Sequence, residues 1–444
     1  MNSIEKKRRI IKKLINPGHD FLFDRFSMNK KKEVSKTEII NLRKKHLKII
    51  DNNHPISFYL HIPFCEKICK YCMYDKLLLT NQKQKKDYIL DVKNFLYNFI
   101  DLFKKVEFSG IYVGGGTPST LNESEMEDIF GYIFKNFKFN KDYQKTIELN
   151  PCSTSLSKIK KVKDLGFDRI SFGVQSFNKN TLEKENRRYV DKETIKEFIS
   201  YGKKVGIEFI NTDLVLGLGD DDISDFISNL NILKECEPDS ITYYTVMKEQ
   251  NKTNNIYIKY GDKFYDNLEN LFTKTIKGSK IKNKYNTTKL NNVLGYIFKH
   301  KKSGNSKKSF GLYSNEKKSI FGVGYKSISK VRNLGSYETS FFKNGKFIFS
   351  IEKLDNNYEI LSYTLKSFQD KIDKIDFKKK FNKNIKDMFK EEIDFLIKNN
   401  IIIEDDRYLY YNGEEKNIGF YGLIFLSPKE LLQIAKNRKE GIKS

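Results

Sequence analysis

The sequence predicts an α/β fold in which a parallel sheet, open or curled into a partial barrel, carries an N-terminal extension and a small C-terminal α+β domain. Three observations predict it. Six β-rich runs alternate with longer amphipathic stretches from Ser57 onward, the pattern of strands joined by helical crossovers. Hydrophobic residues make up 39% of the 444 positions and aromatics 14%, enough for a large core and too much for wholesale disorder. Near the C-terminus the pattern changes to an amphipathic helix followed by a hairpin.

Residues 1–54 are basic, include the helical stretch "KTEIINLRKKHLKII", and read as an N-terminal extension. The barrel-like region follows over 55–278. Its β-runs are "ISFYLHI" from Ile56, "SGIYVGG" from Ser109, "KTIELNP" from Lys145, "FDRISFGV" from Phe167, "EFINTDLVLGL" from Glu208 and "DSITYYTVM" from Asp239. Helical patterns such as "KKDYILDVKNFLYNFIDLFKK" and "NESEMEDIFGYIFKNF" separate them, and Asn122 is an N-cap ahead of an acidic first turn. In such folds functional residues gather at the C-terminal ends of the strands. Residues 279–350 form a lysine-rich insertion and accessory region, its first part reading as an insertion or linker rich in Lys, Asn and Ser. The last segment, 351–444, holds the helix "NIKDMFKEEIDFLIKNN", with Ile385, Met388, Phe389, Ile393 and Leu396 on one side. The hairpin "IIIEDDRYLYYN" then turns at Asp405 and Asp406. Helix followed by wing predicts a winged-helix-like domain, which need not bind DNA when it caps an enzyme.

The formal charge of +25 invites a nucleic-acid reading, but the lysines are spread through nearly every segment and no nucleic-acid motif accompanies them. No nucleic-acid partner is expected. The basic N-terminus lacks a signal-peptide apolar run, and no stretch approaches the roughly 18 apolar residues of a membrane span. A cytoplasmic protein with reduced thiols is expected.

Three of the five cysteines fall within eight residues: Cys65, Cys69 and Cys72 in "CEKICKYC". A structural zinc site takes four ligands, usually from two separated pairs. Here Cys152 and Cys236 are remote in sequence and no clustered histidines stand nearby. A buried thiol trio would leave the spacing unexplained. An iron–sulfur cubane held by three thiolates keeps one iron open.

The C-x3-C-x2-C spacing just after the first strand, with Tyr71 before the last cysteine, resembles the radical S-adenosylmethionine (SAM) superfamily. So does the "GGGTP" turn, Gly114 to Pro118, at the end of the second strand. The words "YLHIPFC", "YVGGGTPS", "ELNP", "DRISFGVQSFN" and "DLVLGL", with a weaker "GVGYKSIS" later, narrow the resemblance. They follow the order of the oxygen-independent coproporphyrinogen III oxidases and their relatives, which include a heme chaperone, heme-degrading enzymes and methyltransferases.

That resemblance implies a partial (βα)6 radical SAM barrel and two cofactors. A [4Fe–4S] cluster would sit on Cys65, Cys69 and Cys72. SAM would be bound by Tyr59, Gly114, Gly115, Gly116, Thr117, Glu148, Gln175, Arg187 and Asp213, with Glu148, Gln175 and Arg187 also catalytic. It implies one-electron cleavage of SAM and hydrogen abstraction from a tetrapyrrole-type substrate, with flavodoxin or ferredoxin as electron donor.

This chain also departs from the family. Tyr74 stands where the oxidases carry a fourth cysteine, "GLGDD" at Gly219 to Asp221 replaces "GLPGQ", and there is no Trp. Two classes of function therefore stay open: a SAM-using enzyme, by hydrogen abstraction or methyl transfer, and a heme carrier.

Overall fold

The computed structural model describes residues 3–14, 32–49, 55–219, 221, 223–245, 284–289, 295–302, 307, 319–331, 335–341, 347–352, 356–368, 371–412 and 421–432. The chain divides into two compact units. The N-terminal segment contributes to both: helix Ser3–Leu14 to one, helix Lys36–Ile49 to the other.

In the larger unit, six strands lie side by side in chain order. They are β1 (Ile56–Ile62), β2 (Ile111–Gly115), β3 (Lys145–Leu149), β4 (Arg169–Gln175), β5 (Phe209–Leu216) and β6 (Ser240–Thr245). Every neighbouring pair is parallel. Each of the six β-runs forms a strand, and the last two residues of the sixth run lie outside the described residues. The crossovers include α1 (Gln82–Tyr97), α2 (Glu123–Asn136), α3 (Leu156–Asp164), α4 (Lys192–Lys204) and α5 (Ile223–Cys236). Asn81 and Asn122 start α1 and α2 through reciprocal capping boxes with Gln84 and Glu125, which satisfies backbone donors that a helix start leaves bare. The unit is the expected partial (βα)6 barrel.

Side-chain alternation along these strands separates core from site. Phe58, Leu60, Ile111, Val113, Ile147, Ile170, Phe172, Ile210, Leu214 and Ile241 face outward and are fully buried beneath the helices. Tyr59, Tyr112, Glu148, Ser171, Asn211, Asp213 and Thr242 share the opposite face. The pairings Tyr59 with Tyr112, Glu148 with Ser171, Ser171 with Asn211 and Asp213 with Thr242 set them in a row. An inner face this polar is a site, not a filled core.

The sheet runs further than six strands. Strands β7 (Tyr285–Lys289) and β8 (Gly295–His300) form an antiparallel hairpin against β6. Part of the lysine-rich stretch read as an insertion or linker is therefore sheet. Its lysines mask a period-2 pattern that buries Tyr285 and Phe298, while most of "KHKKSGNSKKS" lies outside the described residues. On the other side, β9 (Ser319–Gly324) adds a seventh parallel strand beside β1 and turns back as β10 (Ser327–Val331). Gly324, in "GVGYKSIS", has φ +104°, and a Cβ there would stand 2.4 Å from the Tyr88 hydroxyl and 2.5 Å from the His61 carbonyl oxygen. Only glycine fits that junction.

In the smaller unit, Ile4 and Ile11 of the N-terminal helix share a core with Ile360, Phe377, Ile393, Leu396, Leu409 and Leu423. Strands Lys371–Asp373, Tyr408–Tyr411 and Ile402–Glu404 form a sheet in that spatial order, the last two as the expected hairpin. The predicted amphipathic helix breaks at Phe389 into Ile385–Met388 and Lys390–Lys398. Its apolar side is nonetheless buried, with Ile385, Phe389, Ile393 and Leu396 inside and Met388 packed against them. Helices with a small wing make the unit winged-helix-like. Among the described residues no helix is long and apolar enough to cross a membrane.

Candidate active site

The first functional group follows directly from β1. Its C-terminal end runs into a short strand, Phe64–Cys65, that pairs with Leu77–Leu78 and closes the cysteine loop. Cys65 is buried, Cys69 and Cys72 are half-buried, and all three are free thiols. Burial pushes the Cys65 thiol up from its ordinary range. A hydrogen bond with Thr117 opposes this, and the neighbouring Cys72 and Cys69 add to it. Thr117 belongs to the glycine turn that ends β2, and its Oγ1 lies 3.4 Å from the Cys65 sulfur. Two motifs 52 residues apart in sequence thus meet at adjacent strand ends.

Gly114 and Gly115 finish β2, and Gly116 opens the turn. A Cβ on Gly116 would lie 2.4 Å from the Pro63 carbonyl oxygen, so the turn packs on the cysteine loop through bare backbone.

Tyr59 and His61, two residues apart on β1, both point inward. The His61 Nε2–H donates to the Asp75 carbonyl at 2.9 Å. That fixes the tautomer, so Nδ1 accepts from the Tyr59 hydroxyl at 3.0 Å. Burial lowers the His61 pKa, which keeps the ring neutral for this role. The Tyr59 ring stacks on Tyr112 across the strands.

Tyr112 donates to Glu148 Oε1 at 2.5 Å. Burial raises the Glu148 carboxyl to about 7. The Tyr112 bond and Arg169 pull it down, and the nearby Asp213 pushes it up. Asp213 is itself raised by burial, although Ser171 at 2.7 Å and Asn211 at 2.9 Å donate to it. Glu148 and Asp213 thus share one poorly hydrated chamber in which both cannot ionise freely.

Gln175 closes β4 with φ +73°, a conformation that side chains rarely adopt. Its Oε1 is buried with no hydrogen-bond partner in the protein. A buried orphan acceptor at a strand end fits a ligand that brings its own donor.

Arg187 lies after the short helix Lys179–Lys184 and reaches back to the cysteine loop. Its guanidinium donates to the Cys69 sulfur at 3.7 Å, to Asn150 Oδ1 at 3.4 Å and to the Gly173 carbonyl. The expected site residues therefore fall into two adjoining groups. Cys65, Cys69, Cys72, Thr117 and Arg187 surround the cysteine loop; Tyr59, Glu148 and Asp213 line the inner face, with Gln175 at the rim.

Among the described residues no His, Cys, Asp or Glu trio is gathered tightly enough to hold a single metal ion. A cubane asks for something different, because each thiolate ligates its own iron and the ligands stand further apart. The donor set, three thiols in a loop that meets a glycine turn, fits the cluster and not a lone ion.

Residues 59–230 match the model of the radical SAM superfamily, so the chain carries a radical SAM domain. Such domains use a [4Fe–4S] cluster and SAM. Within that class the chain is a relative of the oxygen-independent coproporphyrinogen III oxidases and of the HemW heme chaperones. It is 33% identical to the oxidase of Escherichia coli over 191 residues, 43% of this chain and 41% of the oxidase. The chain thus matches less than half the length of that relative. It is 27% identical to the HemW heme chaperone of Buchnera aphidicola over 377 residues, 82% of this chain and 96% of the chaperone. Among solved structures, coproporphyrinogen III oxidase (HemN) from Escherichia coli superposes with a TM-score of 0.69 at 19% identity, covering 88% of this chain and 93% of that one.

Sequence reading missed His61, Tyr112, Ser171, Asn211 and Asp221. The first four were within reach, because strand alternation places them on the face of Tyr59 and Asp213. Asp221 was noted only as a departure from "GLPGQ". In the structure it is buried and accepts from the Thr181 hydroxyl at 2.5 Å and the Ser176 hydroxyl at 3.0 Å, tying the end of β5 to the end of β4.

Proposed function

We propose that the chain is a radical SAM enzyme acting on a tetrapyrrole-type substrate, with Cys65, Cys69 and Cys72 as ligands of a [4Fe–4S] cluster. The observation that carries this reading is the junction of the cysteine loop and the glycine turn through Cys65 and Thr117 at neighbouring strand ends. Cluster and SAM together supply one-electron reductive cleavage and hydrogen abstraction. The protein's own residues bind and orient. The Gly114–Thr117 turn offers backbone at close range, and Gln175 offers an unpaired acceptor. Tyr59 is oriented by His61. Asp213 is held in place by Ser171 and Asn211, and Glu148, neutral below about 7, can donate or accept. Arg187 stands between the cysteine loop and this pocket. The names of both groups of relatives support a porphyrin or heme compound, and a chain of net charge +25 suits a substrate bearing carboxylates. An external one-electron donor of the flavodoxin or ferredoxin kind would feed the cluster.

A second reading, a heme carrier, is favoured by the alignment with 96% of a heme chaperone and by Tyr74 in place of a fourth cysteine. The test is 5′-deoxyadenosine formation by anaerobically reconstituted, dithionite-reduced protein given SAM, with and without coproporphyrinogen III. Nucleoside formation that rises with the porphyrinogen, together with a vinyl product, supports the enzyme. An intact cluster that forms no nucleoside, in a protein that holds heme stoichiometrically without SAM, supports the carrier.

A further inference from the structure

We propose that Arg187 sets the reduction potential of the cluster by donating a hydrogen bond to the Cys69 sulfur. This rests on the assignment of Cys65, Cys69 and Cys72 as its ligands, and it goes beyond that assignment by giving one ligand a distinct environment.

The geometry singles out Cys69. Arg187 Nη1 points at its sulfur from 3.7 Å, a distance suited to the large radius of sulfur. The guanidinium is not a wandering surface group. Its other nitrogen is held by the Gly173 carbonyl and by Asn150 Oδ1, and its backbone N–H is anchored on the Leu182 carbonyl at 2.8 Å. By contrast, the Cys65 sulfur meets the neutral hydroxyl of Thr117.

The surrounding segment supports the same function. Residues 185–188 strap the cysteine loop at four consecutive points. The Lys70 N–H donates to the Glu185 carbonyl at 3.1 Å, Asn186 Nδ2 donates to the Ile68 carbonyl at 2.9 Å, and Arg187 reaches Cys69. Arg188 pairs with Glu66. A donor mounted on a strap that also fixes the acceptor's backbone keeps its distance when charge changes.

The physical consequence follows from charge. One electron added to a thiolate-ligated cluster adds one negative charge, which spreads onto the ligating sulfurs. Hydrogen bonds to a sulfur, and a fixed cation beside it in a poorly hydrated site, stabilise the reduced form more than the oxidised form. The potential rises. Arginine suits this task because it stays protonated throughout the working pH range.

The test is an anaerobic dithionite titration followed by electron paramagnetic resonance, with iron and sulfide content measured in each sample. The samples are the wild-type protein, Arg187→Gln and Arg187→Lys. Loss of the donor in Arg187→Gln should cut the reduced-to-oxidised ratio at a fixed potential on the order of tenfold, equivalent to about 59 mV for a one-electron couple. Arg187→Lys, which keeps the charge, should shift less than Arg187→Gln. A midpoint in Arg187→Gln equal to wild type, at equal cluster content, overturns the proposal. If that variant fails to hold the cluster, Arg187→Lys decides alone: it keeps the charge but loses the fork that joins the Gly173 carbonyl to the Cys69 sulfur, so its midpoint should still lie below wild type, and an unchanged midpoint there overturns the proposal. A wild-type protein that takes up no cluster overturns the ligand assignment beneath it.

Discussion

Replacing Glu148 with Gln tests the electrostatics of the inner face without any cofactor. The substitution keeps the shape and an acceptor for the Tyr112 hydroxyl, and it removes the ionisable proton. In the folded protein burial raises this carboxyl from 4.5 to about 7, against the pull of Tyr112, Arg169 and the Gly115 N–H and with the push of Asp213. Tyr244, on β6, faces the same chamber and is likewise raised by burial, with Asp213 and Glu148 adding to the shift. The sign follows from proton counting. Between 4.5 and about 7 the unfolded chain has released this proton and the folded one retains it, so stability falls as pH rises through that window. Below 4.5 the group contributes nothing; above about 7 the full cost is present. At about 1.4 kcal/mol per pH unit the interval amounts to about 3 kcal/mol, an upper value because Glu148 keeps some contact with solvent.

The Gln variant escapes this cost. It should match the wild type near about pH 4 and exceed it by up to about 3 kcal/mol near about pH 8.5. With no Trp in the chain and two compact units in it, hydrogen–deuterium exchange of peptides covering β2 and β3 in the reduced apoprotein is the suitable readout. A stability difference that stays flat with pH, or that favours the wild type at the higher pH, would refute the reasoning.

Two further outcomes are expected. Asp221→Ala strands the buried hydroxyls of Thr181 and Ser176, so thermal unfolding of the barrel unit should show a loss of about 1–3 kcal/mol, with Asp221→Asn recovering part of it; equal stability of the Ala variant would show that these bonds carry no net weight. Gly324→Ala forces a side chain into a positive-φ position against the Tyr88 hydroxyl and the His61 carbonyl, and should cost at least about 1–3 kcal/mol while loosening β1 and β9 in the same exchange experiment; protection unchanged at both strands would contradict the close approach.

The sequence by itself determined the class of fold and much of the site. Six runs with strand periodicity, separated by helical stretches with Asn caps, became six parallel strands in chain order, because alternation and capping are local properties that each segment satisfies alone. The cysteine spacing and the glycine turn were equally legible, since a loop of eight residues and a five-residue turn fix their own chemistry.

What the tertiary structure decided was adjacency. No spacing rule places Thr117 on Cys65, Tyr112 on Glu148, or Arg187 on Cys69, because these contacts join residues 52, 36 and 118 positions apart. The lysine-rich segment hid β7 and β8, since composition drowned a short period-2 signal that becomes meaningful only when β6 offers an edge to pair with. The weaker motif "GVGYKSIS" acquired its reason in the same way. Its glycine is required by Tyr88 and His61, two residues that the chain order keeps far from it and that a parallel pairing of β9 with β1 brings to contact distance. Local pattern specifies elements; only packing specifies which elements meet, and the chemistry of this site lies at those meetings.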